Sequence, residues 1–116
     1  MNTLKDTGLV LTEDDIKEMA YQARADYDAK FHPTADIEDG LAVGLYADNV
    51  KGHEFEIDCY FKSERKDDSF GHAFGTEKII YFDWYLHSAS IAETYLDGDL
   101  VKNPDFNEQL FINNFN

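Results

Sequence analysis

The sequence predicts an α+β fold: an N-terminal amphipathic helix, a three-stranded antiparallel meander and short C-terminal helices. Two observations carry this expectation. Apolar residues recur at helical spacing near the N-terminus, and a later stretch alternates apolar and charged residues with a period of two.

The helix is expected over residues 13–31. Thr12 has the chemistry of an N-cap, and Glu13, Asp14 and Asp15 fill the first turn, where carboxylates favour the helix dipole. Ile16, Met19, Ala20, Ala23, Tyr27 and Phe31 then form one apolar face, while Asp14, Glu18, Tyr21 and Ala25 lie on the other. Pro33 ends the helix. Residues 32–40 read as a loop holding Asp36, Glu38 and Asp39.

A first strand is expected over 41–47, with Leu41, Val43 and Leu45 on one face, and a turn over 48–52. The second strand, 54–62, has the cleanest alternation in the chain. Phe55, Ile57, Cys59 and Phe61 point one way, and Glu54, Glu56, Asp58 and Tyr60 the other. The two strands fit an antiparallel hairpin. Residues 63–76 are polar, contain Gly71 and Gly75, and read as a long loop. Residues 78–86 are apolar on both faces, as a central strand would be. Ser90 with Glu93 resembles a capping box, which places a short helix over 91–96, stopped at Gly98. Asn103-Pro104 is expected to open a last helical turn, with Phe106, Leu110 and Phe111 packing back.

The 116 residues suit one domain, and 43% hydrophobic content with nine Phe, seven Tyr and one Trp supplies a core. An acidic disordered segment would lack those aromatics. Charge is the outstanding feature: 24 Asp and Glu stand against 10 Lys and Arg, a net −14. A magnitude of about 2–8 is enough to keep a small domain in solution, and the excess costs stability through self-repulsion. Nucleic acid and anionic membranes repel such a surface, whereas a cationic protein is steered toward it.

Cys59 is the only cysteine, so no intramolecular disulfide forms. The N-terminus shows no basic region followed by an apolar run, and the longest apolar stretch is too short for a membrane span of about 20 residues. The expected compartment is the cytoplasm and the expected state a monomer.

Chemistry-bearing motifs are scarce. Neither glycine-rich phosphate fingerprint occurs, and Gly71-His72-Ala73-Phe74-Gly75 precedes a strand where a phosphate site would need a helix. His32, His53, His72 and His87 are scattered, with no pair at zinc-ligand spacing. Asp97, Asp99, Asp105 and Glu108 match four positions of a calcium loop. Val101 stands where an oxygen ligand is needed, Lys102 replaces the turn glycine, and Pro104 intrudes. Paired carboxylates arise by chance among 24 acids. No enzyme activity, cofactor or metal is expected.

What remains is the arrangement of the acids. Alternate residues on a strand lie about 6.6–6.8 Å apart, so Glu54, Glu56 and Asp58 form a row of fixed anions. DNA offers one phosphate per strand for about each 3.4 Å of axis. Glu13, Asp14, Asp15 and Glu18 add a second cluster, and Asp36, Glu38 and Asp39 a third. These ten residues are the candidate partner-binding set. Positive charge gathers elsewhere, with Arg65, Lys66 and Lys78 inside residues 63–78.

In size, acidity, lone cysteine and lack of catalytic motif, the chain resembles the small bacterial and phage DNA-mimic proteins, most of all the monomeric type that binds the histone-like protein HU. The resemblance is to whole-chain character and transfers no residue roles. It implies a bacterial cytoplasmic protein that competes with DNA for a nucleoid protein, that is, a basic DNA-binding protein; the net charge separately implies that the chain binds no nucleic acid itself. An immunity protein that neutralises a cationic nuclease toxin and an anti-restriction or anti-CRISPR inhibitor share this character, and both readings stay open at the level of sequence.

Overall fold

The computed structural model describes residues 4–30, 40–72 and 75–116, and over 64–72 and 75–83 the course of the strands alone. The element order is α1 (Glu13–Lys30), β1 (Leu41–Val50), β2 (His53–His72), β3 (Gly75–Leu96), β4 (Asp99–Val101) and α2 (Glu108–Phe115). The strands form one antiparallel sheet in the order β1-β2-β3-β4, so the expected α+β class holds with four strands in place of three.

Helix α1 starts where its cap chemistry puts it. The Thr12 hydroxyl accepts from the Asp15 N–H at 3.3 Å, and an Asp15 carboxylate oxygen accepts from the Thr12 N–H at 2.8 Å. This reciprocal pair satisfies two helix-end donors, with Asp taking the usual role of Glu. Ile16, Met19, Ala20, Ala23 and Tyr27 are buried, as their spacing predicts, and Phe31 lies outside the described residues.

The sheet's inner face meets both helices. Leu45 from β1, Phe55, Ile57, Cys59 and Phe61 from β2, and Leu86 and Ala89 from β3 are all buried in one core with α1 and α2. Tyr27 stacks on Phe61 with centroids 4.6 Å apart, and Phe115 of α2 closes on both rings at 5.9 and 5.5 Å. Such aromatic pairs stabilise beyond the area they bury. Helix α2 is capped by the Asn107 side chain, which accepts from the Leu110 N–H, so it opens later than the Asn103-Pro104 signal suggests.

Three departures from the expected layout have physical causes. The expected turn over 48–52 narrows to Lys51-Gly52, both at positive φ (49° and 73°), and β1 runs on to Val50. That two-residue turn matches the right-handed twist of its flanking strands. The expected loop over 63–76 is instead the far half of β2 and the start of β3, paired down to His72↔Gly75. Residues 73 and 74 lie outside the described residues.

The expected helix over 91–96 is strand. β3 carries two bulges opposite Glu56/Ile57 and Tyr60/Phe61, so its core-side residues are Leu86, Ala89, Ile91 and Thr94. Each bulge inserts one residue and turns a spacing of two into three, which imitates helical spacing. Gly98 ends no helix; Asp97-Gly98 is the turn into β4, with φ of 51° and 84°.

The body and the ends differ in width. β1 leaves β2 at Leu41↔Phe61, and among the described residues β2 and β3 continue beyond it as a two-stranded ribbon. The long axis is 66 Å, and the radius of gyration of 18.3 Å exceeds the roughly 13 Å of a compact chain of about this size. Among the described residues no helix is long and apolar enough to cross a membrane.

Candidate functional acidic sheet face

The inner face of the sheet is closed by helices, and among the described residues the outer face is open. Strict alternation along β2 sends Phe55, Ile57, Cys59 and Phe61 inward and leaves Glu54, Asp58 and Tyr60 exposed, with Glu56 half-buried. The expected anion row is therefore present on the solvent side. Register widens it into a patch: Tyr46 of β1 and Glu93 of β3 flank Glu56, while Gly44 and Ser90 flank Asp58.

Close contacts hold two of these side chains down. A Cβ on Gly44 would meet a Glu56 carboxylate oxygen at 3.3 Å, so Glu56 leans across the glycine toward β1. A Cβ on Gly40 would collide with the Tyr60 ring, which occupies the space that glycine leaves. Tyr60 also meets the His87 ring edge-on at 6.2 Å.

Around Glu54, Glu56, Asp58 and Glu93 this face is anionic, and Lys62 lies at its ribbon end. The Tyr95 hydroxyl donates to the Glu93 carboxylate, and this bond, with Glu93 and Glu56 nearby, pushes its ionisation up to about 12. Burial pushes the Cys59 thiol up to about 12, and the neighbouring Asp58 charge adds to the shift. Cys59 is thus an inert core residue, because the thiolate is the reactive form.

The expected partner-binding residues fall on separate parts of the molecule. Glu54, Glu56 and Asp58 share the outer face, and among the described residues none of them enters an ion pair. Glu13, Asp14 and Glu18 are exposed on α1, with Glu18 accepting from Gln22 at 3.1 Å. Asp15 is engaged by the cap and by Lys51, whose ammonium lies 3.0 Å away. The Thr12 N–H holds its carboxyl below the ordinary 3.8; burial opposes this, and Lys51 adds to the lowering. Asp36, Glu38 and Asp39 lie outside the described residues.

The other chemical candidates have structural roles. His53 is buried, with Nδ1 2.7 Å from the Lys51 carbonyl and Nε2 3.0 Å from the Thr7 hydroxyl. A carbonyl only accepts, so Nδ1 donates, and in the neutral ring Nε2 accepts from Thr7. This bond ties the N-terminal segment to the sheet, beside a parallel bridge from Lys5 to Val101. Of the calcium-loop residues, Asp97 sits in a hairpin turn, Asp99 on β4, and Glu108 accepts from the Ala89 N–H at 3.1 Å. Among the described residues no group of three or more His, Cys, Asp or Glu is arranged to hold a metal.

Sequence reasoning missed a concavity on the outer sheet face, bordered at the β3 edge by Glu108 of α2. It has a volume of about 440 Å³ and is lined by Ala42, Gly44, Asp58, Ser88, Ser90 and Glu108 among others. Small residues on the two strands that flank β2, Ala42 and Gly44 on β1 and Ser88 and Ser90 on β3, face Tyr60 and Asp58 in register and create it. That signal became visible only once the bulges had set the β3 register.

No protein-family model matches the chain, and neither a curated protein nor a solved structure does.

Proposed function

We propose that this protein docks its acidic outer sheet face on the nucleic-acid-binding surface of a basic protein and competes with DNA for it. The observation that carries this reading is the row Glu54, Glu56 and Asp58: solvent-facing, outside any described ion pair, and mounted on the strand whose other side is the core. Anions fixed to a rigid strand present cationic side chains with the kind of target that phosphates offer. They also need little reorganisation on binding.

A histone-like nucleoid protein of the HU type is the first partner to test, because such proteins hold DNA chiefly through backbone charge. A labelled duplex bound to that protein is followed by fluorescence anisotropy while the acidic chain is added. Release of the duplex at low salt, weakening as salt rises, is the expected result. A duplex that stays bound at every concentration removes HU-type proteins as the target. A duplex retarded by the acidic chain alone in a gel overturns the reading entirely.

A further inference from the structure

The acids of the outer face are interleaved with exposed tyrosines: Tyr46, Tyr60 and Tyr85 keep 52%, 37% and 39% of their surface in solvent. Tyrosine on an open sheet face is not required by the fold, since the core lies on the other side of the strands. Each of the three is in register beside a β2 outer-face position. Tyr46 pairs with Glu56, Tyr60 lies on β2 itself two residues from Asp58, and Tyr85 pairs with Lys62. Tyr46 and Tyr60 thus stand beside carboxylates, and Tyr85 stands beside Lys62 where the anion row ends.

One ring of this face already takes a cation from the chain itself. The Lys30 ammonium lies 4.8 Å from the Tyr46 ring centroid while pairing with Asp26 at 2.9 Å. That contact joins a ring and a carboxylate on one positive group, the arrangement that Tyr60 and Asp58 offer to an incoming one.

Resting on the docking reading above, we infer that this face selects arginine over lysine, and that its occupant is an arginine-bearing extended segment of the basic partner. A guanidinium is planar, less strongly hydrated than an ammonium, and able to stack on a ring while bonding a carboxylate edge-on. Lysine satisfies the carboxylates as a point charge and gains less from the rings. Three strands at about 4.8 Å spacing span roughly 10 Å, the width of one extended chain with its side chains.

The test titrates arginine and lysine homopeptides of equal length against the protein at low salt. The arginine peptide is expected to bind about fivefold more tightly, the size that one or two exposed cation–π contacts supply. Replacing Tyr60→Leu with Tyr85→Leu is expected to remove that preference and leave lysine-peptide binding unchanged. Tyr60→Phe with Tyr85→Phe, which keeps the rings, is expected to retain it. Equal affinity of the wild-type protein for both peptides overturns the selectivity while leaving the docking reading intact. A preference that survives the leucine pair overturns the role of Tyr60 and Tyr85. Binding of neither peptide overturns the selectivity and the docking reading together.

Discussion

Gln22 makes two bonds to the main chain of Asp48: its amide donates to the carbonyl at 2.8 Å and its oxygen accepts from the N–H at 2.6 Å. Asn116 does the same for Leu86 on the opposite edge, at 3.1 and 2.9 Å. Each amide supplies the pairing that a further strand would have given, and so blunts an edge that otherwise invites another chain. Gln22→Ala is expected to lower stability by about 1 kcal/mol, the net of two exposed hydrogen bonds partly replaced by water, as read from the urea midpoint. Asp15 sets a pH dependence. Its folded-state ionisation is held below 3.8, so its contribution is complete above that value and is lost as pH falls through the lower one. Stability curves for the wild type and Asp15→Asn are therefore expected to converge at the acid end and to separate above pH 4, checked by thermal melts across pH. Neither edge amide was legible in the sequence, because Gln22 and Asp48 are far apart in the chain and nothing local marks them as partners. Asp15 was legible as a helix-start acid. Its bond to Lys51 was not, since it depends on a turn that brings Lys51 back to α1.

At the scale of elements, α1 and the first half of β2 were readable because each buries one regular face, and regular burial leaves regular spacing. β3 was misread where its bulges fall. Ser90 and Glu93 imitate a capping box there, and the bulges space the core-side residues 86, 89, 91 and 94 by three, two and three, yet Thr94 is buried and paired with Phe55 across the sheet. The signal that could have corrected this was Asp97-Gly98, a strong hairpin dipeptide, which requires strand on both sides. Over 63–76 the ribbon went unread because a polar, glycine-flanked stretch has the composition of a loop; 78–86 was read as a strand but as a central one, whereas beyond Leu41↔Phe61 it pairs with β2 alone among the described residues. β2 gives the sharpest test of the faces. Ile57→Ala or Phe55→Ala is expected to cost about 2–5 kcal/mol, since each removes a fully buried side chain from a close-packed core. Denaturant unfolding measures it. A loss below about 1 kcal/mol would mean that the inner face is not the core.

Over the whole molecule, charge and shape are divided. The body carries the open acidic face, while four of the ten basic residues, Lys62, Arg65, Lys66 and Lys78, fall on the ribbon. Net charge was fully legible in the sequence, and so was the solvent side of Glu54, Glu56 and Asp58. Of the tyrosines that share their face, Tyr60 was legible by the same alternation, whereas Tyr46 and Tyr85 were not, because register across the strands places them there. If paired charges dominate docking, the association rate is expected to fall first as salt rises, with dissociation changing less; stopped-flow mixing across ionic strength checks this. The most direct measurement replaces Glu54→Gln, Glu56→Gln and Asp58→Asn together and follows both the melting temperature and the displacement of DNA from the basic partner. The expected result is a melting temperature that is unchanged or raised, because repulsion is relieved on a face outside the core, with displacement of DNA lost. A triple variant that melts normally and still releases DNA as well as the wild type would contradict the assignment of this face as the docking surface.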